Sequence, residues 1–223
     1  MESSHDTTVN WHLEALPTAA RRALERLSTS DWLNDSAWYL AGGTALTLQV
    51  GHRTSVDLDF FLPKNEFNLI DILQHFSEPD WITDIARENT IYGQFLGAKV
   101  SFIAYPFFVP KQTYLQYGQI KVLQSRDIGV MKIIAISQRG RKRDFLDLYW
   151  LCQNIQPLRE FIRLLPEQYP SVSHDLHHII KSLVYFDDAE NDPTPNLNFQ
   201  ADWRLIKKFF QEETKKLAKE LLL

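Results

Sequence analysis

Two aspartates, Asp57 and Asp59, stand one residue apart in the run Val56-Asp57-Leu58-Asp59-Phe60-Phe61. In an extended strand, positions i and i+2 share a face, so the two carboxylates point the same way. Parallel carboxylates repel unless a cation sits between them or one takes up a proton. Their neighbours belong to a buried strand, where an unpaired carboxylate is costly. The pair therefore reads as a site for a hard divalent cation, Mg²⁺ or Mn²⁺. Such an ion takes few protein carboxylates and leaves positions for water and phosphate oxygens.

Thirteen residues lie between Asp57 and Gly43, the second glycine of Leu40-Ala41-Gly42-Gly43-Thr44. Two glycines between a strand and a helix let backbone N–H groups face outward with no Cβ in the way. The helix that starts there directs its positive end at the same spot, which favours an anionic phosphate. Thr44 offers a hydroxyl to a phosphate oxygen. Arg53, four residues before Asp57, can pair with a phosphate or hold a carboxylate in place. A glycine pair or an Asp-x-Asp strand alone is common; in this order they point together to a nucleoside triphosphate and its metal.

A second constellation follows in Met131-Lys132-Ile133-Ile134 and Arg139-Gly140-Arg141-Lys142-Arg143-Asp144-Phe145-Leu146-Asp147. Lys132 sits among apolar residues, where a lone ammonium requires an anionic partner. Asp144 and Asp147, three apart on a helix, share a face. Lys132 and Asp144 either pair with each other across two helices, or Lys132 binds a nucleotide phosphate while Asp144 orients it or serves as general base. Arg139, Arg141, Lys142 and Arg143 form either a solvated loop or a landing place for an RNA backbone.

Weaker signals are bland. His174, His177 and His178 have zinc-like helical spacing but no further ligand, and read as surface histidines. Cys152 reads as a packing residue. Tyr105-Pro106-Phe107-Phe108 can stack a base or pack between two halves of the chain.

These residues need elements to position them. Residues 1–16 are polar and patternless, and read as a flexible arm. Ala20, Leu24 and Leu27 mark a helix opened by Pro17. Trp38–Ala41 reads as a buried strand, Thr44–Val50 as a helix that Gly51 ends, Ser55–Leu62 as the carboxylate strand and Phe67–Phe76 as a helix. Strands follow at Ile82–Ile85, Tyr92–Leu96, Lys99–Ala104 and Ile120–Leu123. Beyond them the pattern is helical: from Ser125 to Gly140, from Arg143 past Leu151, then near 157–165, 171–186 and 202–222. An acidic loop, Asp187–Leu197, separates the last two. The expected organisation is an α+β unit over 17–123 and a helical unit over 124–223.

A net charge of -4 over 223 residues excludes a globally basic nucleic-acid binder but leaves room for a local basic patch. One cysteine permits no internal disulfide. No signal peptide is evident, and no stretch approaches the ~20 apolar residues of a membrane span. A cytoplasmic protein with no membrane partner is expected.

Strand, Gly-Gly, helix and Asp-x-Asp strand together resemble the DNA polymerase β nucleotidyltransferase superfamily. Gly42–Phe61, with Lys99–Phe107 and Ser125–Leu151, resembles more closely the AbiEii/AbiGii toxin family of bacterial toxin–antitoxin pairs. The resemblance implies a nucleotidyltransferase core, with a mixed sheet flanked by helices, followed by a helical domain. It implies Mg²⁺ on Asp57 and Asp59 and transfer of a nucleoside monophosphate from a triphosphate to an acceptor hydroxyl. The acceptor would be RNA, such as a tRNA end, and a cognate antitoxin protein would be a partner. It also implies that Lys132 and Asp144 belong to the active site. Ser101 stands where the superfamily carries a third metal-binding carboxylate. A small-molecule acceptor and a non-catalytic nucleotide-binding module are the rival readings.

Overall fold

The structure, a computed structural model, describes residues 9–221. The chain opens with a short 3-10 turn at Leu13–Ala15, then helix α1 over Thr18–Leu27, which buries Ala20, Ala23, Leu24 and Leu27 as one stripe. Helix α2 (Asp31–Asn34) leads into strand β1 (Tyr39–Ala41), helix α3 (Gly42–Val50) and strand β2 (Leu58–Leu62). Helix α4 (Leu69–Leu73) precedes strands β3 (Trp81–Arg87), β4 (Thr90–Phe95) and β5 (Ala98–Ala104). Strands β6 (Leu115–Tyr117) and β7 (Ile120–Val122) complete the sheet.

The rest is helical: α5 (Ser125–Arg139), α6 (Lys142–Asn154), α7 (Leu158–Arg163), α8 (Leu165–Gln168), α9 (Leu176–Ser182), α10 (Asp187–Glu190) and α11 (Trp203–Leu221). Among the described residues the strands form one seven-stranded mixed sheet in the order β3-β4-β5-β2-β1-β7-β6.

The alternation along β2 sorts its residues by face. Leu58 and Phe60 are fully buried, while Asp59 and Phe61 are half-buried on the other side. The buried face is aromatic. Phe102 of β5 has its ring centroid 5.1 Å from Phe60, 5.2 Å from Trp38 and 5.9 Å from Trp32. The opposite face, which carries the carboxylates, lies beneath α5. That helix buries residues around most of its circumference, including Ile128, Val130, Ile133 and Ile136. It therefore works as a central rod between the sheet and the remaining helices. The hydrophobic core runs unbroken from Leu16 to Leu217 and crosses the expected division at residue 123.

The carboxylate strand is shorter than its sequence pattern suggests. It starts at Leu58 rather than Ser55, and Val56 is 50% exposed. Residues 53–55 pair elsewhere: Arg53 forms an isolated bridge with Leu197, Thr54 N–H donates to the Asn196 carbonyl, and Ser55 N–H donates to the Ala15 carbonyl. Of the arm expected over residues 1–16, the stretch from His12 to Leu16 is held against the fold. His12 N–H donates to the Leu48 carbonyl, and Ala15 and Leu16 are buried. Residues 1–8 lie outside the described residues.

Gly129 lets α5 approach α7, since a Cβ there would lie 2.3 Å from a ring carbon of the fully buried Phe161. Gly129→Ala should therefore lower stability by about 1–3 kcal/mol through overpacking, which outweighs the gain in helix propensity of up to about 1 kcal/mol. Thermal unfolding checks this, and an unchanged or raised midpoint would contradict the packing of α5 on α7.

Candidate active site

The glycine turn follows β1 directly. Gly42 adopts φ 71°, a left-handed conformation that a side chain resists, and Gly43 starts the first turn of α3. A Cβ on Gly43 would lie 2.3 Å from the Arg53 guanidinium, so glycine is required there by a packed cation. The Thr44 hydroxyl does not reach the cavity. Thr44 is 1% exposed and bonds the Ser55 hydroxyl at 2.8 Å and the Asp57 carbonyl. The expectation that it binds a phosphate is corrected: the helix register turns it inward, where it anchors the start of β2.

A cavity of about 520 Å³ joins the turn to the carboxylate strand. Gly42, Gly43, Asp57 and Asp59 line one end. Met131, Lys132, Ala135 and Arg139 of α5, with Arg143 of α6, face them from above. Phe61, Ile103 and Tyr105 form an apolar end, and Asp84, Tyr92 and Lys99 form the outer floor.

Asp57 accepts from Arg143 Nη1 at 2.9 Å. Asp59 accepts from the Ser101 hydroxyl at 2.7 Å, and the strand register pairs these two residues directly. Burial raises the Asp59 pKa above the usual carboxylate range; the Ser101 hydrogen bond works against that rise and the Asp57 charge adds to it.

Above the floor lies a buried ion network. Asp147 has no exposed side-chain surface and collects three partners. His52 Nε2 approaches one of its oxygens at 2.8 Å, Arg53 grips both oxygens at 2.5 and 2.9 Å, and Lys132 Nζ lies 2.7 Å away. Lys132 Nζ also donates to Asp144 at 2.7 Å, and Arg139 Nε donates to Asp144 at 3.1 Å.

Lys132 thus hydrogen-bonds Asp144, ion-pairs with Asp147 and lines the cavity. Arg53 lines the cavity and takes the second of its two expected roles, holding a carboxylate in place: Asp147 accepts from Nε and Nη2, and the Thr54 carbonyl accepts from Nη1. Asp144 is fully buried and bonds Lys132 and Arg139, which matches the orienting one of its two expected roles.

Burial alone would raise both carboxyl pKa values. Lys132 and Arg139 nevertheless hold Asp144 below the ordinary range, and Arg53 and Lys132 hold Asp147 well below it. Burial lowers the His52 pKa, which keeps the ring neutral; its Nδ1 finds no partner. His52 carried no sequence signal, because its partner is 95 positions away.

The basic run divides in two. Arg139 and Arg143 line the cavity. Arg141 instead pairs with Asp192 at 2.6 Å, and the buried Lys142 donates to the Glu190 and Asp192 carbonyls. The expectation that all four contact RNA is therefore corrected for Arg141 and Lys142. Their charge is spent on a loop about fifty positions away in sequence, where helix α6 begins. His174 and His178 bond to carbonyls of Tyr169 and Ser137, and no metal-holding cluster of three ligands occurs among the described residues.

Solved structures share this architecture. MenT4, a nucleotidyltransferase toxin of Mycobacterium tuberculosis H37Rv, aligns with a TM-score of 0.55 at 14% identity, over 90% of this chain and 84% of that one. JHP933 of Helicobacter pylori aligns at 0.50 and 20% identity, over 92% and 96%. The fold is that of a nucleotidyltransferase.

The family described as "Nucleotidyl transferase AbiEii toxin, Type IV TA system" matches residues 22–94 and 99–221. The chain belongs to this AbiEii family of nucleotidyltransferase toxins from type IV toxin–antitoxin systems. An uncharacterized protein of Aquifex aeolicus is 33% identical over 210 residues, covering 91% of this chain and 98% of that protein. No helix among the described residues is long and apolar enough to cross a membrane.

Asp147→Asn leaves Arg53 buried without its counter-charge and Lys132 with Asp144 as its one remaining carboxylate, and should cost about 3–5 kcal/mol of stability. The depressed pKa values of Asp144 and Asp147 add stability that is complete above the unfolded carboxylate value of about 3.9. That stability is lost as pH falls through the lower folded values. Urea unfolding between pH 7 and pH 3 should show a steep acid loss in the native chain and a shallower one in the variant. Equal stability of the two proteins at pH 7 would contradict the network.

Proposed function

We propose that this chain transfers a nucleoside monophosphate from a nucleoside triphosphate to a hydroxyl of RNA, a tRNA end being one such acceptor, and that a cognate antitoxin opposes the outcome. The observation that carries the reading is the convergence in one cavity of the glycine turn, the Asp57–Asp59 pair and the cations Lys132 and Arg143. An anionic triphosphate needs backbone N–H groups and cations, and the glycine turn and Lys132, Arg139 and Arg143 line the same cavity.

The donor set fits one hard divalent cation. Asp59 projects from β2 and Asp57 is the residue just before that strand, and burial raises the Asp59 pKa with the charge of Asp57 adding to the rise. Asp57 and Asp59 would hold Mg²⁺ or Mn²⁺, and Ser101 would support Asp59 as a neutral donor in place of a third acid. The ion would supply charge neutralisation at the phosphates. The residues of the chain bind and orient: backbone N–H groups of the glycine turn and the Lys132 ammonium at the cavity wall hold the phosphates, while Arg143 lies beside Asp57 with nearly half its side chain exposed. In the transfer the acceptor oxygen bonds to the α-phosphorus. The bond from that phosphorus to the bridging oxygen breaks, pyrophosphate leaves with the electron pair, and the hydroxyl proton passes to water.

RNA is favoured as acceptor by the exposed cations at the cavity rim, Arg139, Arg143 and Lys99. Incubating the chain with each labelled triphosphate, Mg²⁺ and total RNA, then separating the products by gel, tests the reading. Label on RNA supports it; label on a small molecule moves the acceptor, and nucleotide binding with no transfer favours a non-catalytic module. Asp57→Asn should reduce transfer at least about a hundredfold by removing a metal ligand. Arg141→Ala should leave transfer and RNA affinity within about twofold, since Arg141 meets Asp192 away from the cavity that Arg139 and Arg143 line. A large loss in the Arg141 variant would contradict the division of the basic run.

A further inference from the structure

The outer floor of the cavity carries a group that the transfer chemistry leaves unused. The strand order β3-β4-β5-β2-β1 puts the glycine turn on one side of the carboxylates and strands β5, β4 and β3 on the other. Attacking and leaving oxygens lie roughly in line across the α-phosphorus. With pyrophosphate held at the glycine turn, the acceptor must arrive over β5, β4 and β3.

Register fixes which side chains meet it. Asp59 pairs with Ser101, and Ser101 pairs with Tyr92, so these three share the cavity face. Tyr92 in turn pairs with Ile85 of β3, and the register shifts between Thr83 and Ile85. That irregularity is a bulge at Asp84, and bulges re-aim side chains at strand edges. Trp81 and Thr83 bond each other on the core side, while Asp84 accepts from Gln94 Nε2 at 3.2 Å and lines the cavity.

Asp84 has no cationic partner within ion-pair distance among the described residues, and it is exposed. Tyr92 is 42% exposed. At the usual inter-strand spacing, Tyr92 lies about 10 Å and Asp84 about 14 Å from the line of β2. Arg139 lines the same cavity from α5 above.

We propose that Tyr92 and Asp84 form a reading station for the terminal base of the RNA acceptor. The base stacks on the Tyr92 ring, and its exocyclic amino group donates to the Asp84 carboxylate. This inference rests on the RNA-acceptor reading above and deepens it. The spacing suits a terminal nucleotide, whose hydroxyl reaches the α-phosphorus while its base extends outward along the sheet. A carboxylate only accepts, so it selects adenine, cytosine or guanine, which carry amino groups, over uracil, which carries none. Lys99, on the same face of β5 as Ser101, is placed for the backbone phosphate next to that nucleotide.

The test uses the full chain and RNA hairpins with single-stranded 3′ tails that differ only in ending A, C, G or U. Acceptor KM and kcat are measured with a triphosphate the chain uses, and hairpin and triphosphate affinities by fluorescence anisotropy. The native chain should favour the three amino-bearing ends over U by about tenfold in KM. Asp84→Asn, which offers a donor as well as an acceptor, should narrow that preference to about twofold. Tyr92→Leu should raise KM for all four ends by about tenfold, and Tyr92→Phe should restore it because stacking needs the ring alone. Triphosphate affinity should stay unchanged in every variant.

If the native chain labels the hairpins but Asp84→Asn keeps the preference, or Tyr92→Leu keeps the native KM, the reading station is wrong and the RNA acceptor stands. Loss of triphosphate affinity in Tyr92→Leu would also overturn it, by assigning that ring to the incoming nucleotide. If the native chain transfers only to a small molecule, the RNA reading fails and the station with it.

Discussion

Asp147 exposes no side-chain surface, yet the site depends on its charge. Its two oxygens gather His52 and Arg53 from the segment after α3 and Lys132 from α5. An isolated carboxylate at that depth would be strongly disfavoured; three donors make it stable and fix three elements relative to one another. The same contact sets the glycine turn. The guanidinium held by Asp147 packs where a side chain on Gly43 would go, so the turn requires glycine. Positioning of the glycine turn and of Lys132 therefore has one common origin.

Charge is divided between layers. Strand β2 and the residue before it contribute the acids, Asp59 and Asp57, with Ser101 bracing Asp59. The helices contribute the cations, and Asp144 and Asp147 hold those cations at the cavity roof. Buried carboxylates with lowered pKa values thus do structural work, while the half-buried Asp59, with its raised pKa, faces the cavity. This arrangement suits a reaction that proceeds by positioning and neutralising phosphate charge.

Much of this was legible in the sequence where a local pattern carries it. The glycine pair and the i, i+2 aspartates are short-range signals, and the resemblance they carry implied the mixed sheet with flanking helices. What escaped is long-range. Lys142 looks like part of an RNA-binding run until the Glu190–Asp192 loop closes on it. Thr44 looks like a phosphate ligand until the helix register turns it to Ser55. His52 has no neighbourly signal at all. Strand β6, at three residues, is too short to show a period, and the bulge that aims Asp84 at the cavity shows only in the pairing register.

The most direct test of the central claim is a double-mutant cycle between Arg53 and Asp147, read by equilibrium unfolding. If these side chains form one buried unit, Arg53→Met and Asp147→Asn should each be strongly destabilising, and the second change should cost far less once the first is made. The coupling should be about 1–3 kcal/mol. Additive effects, with coupling below about 0.5 kcal/mol, would contradict the claim that this network organises the site.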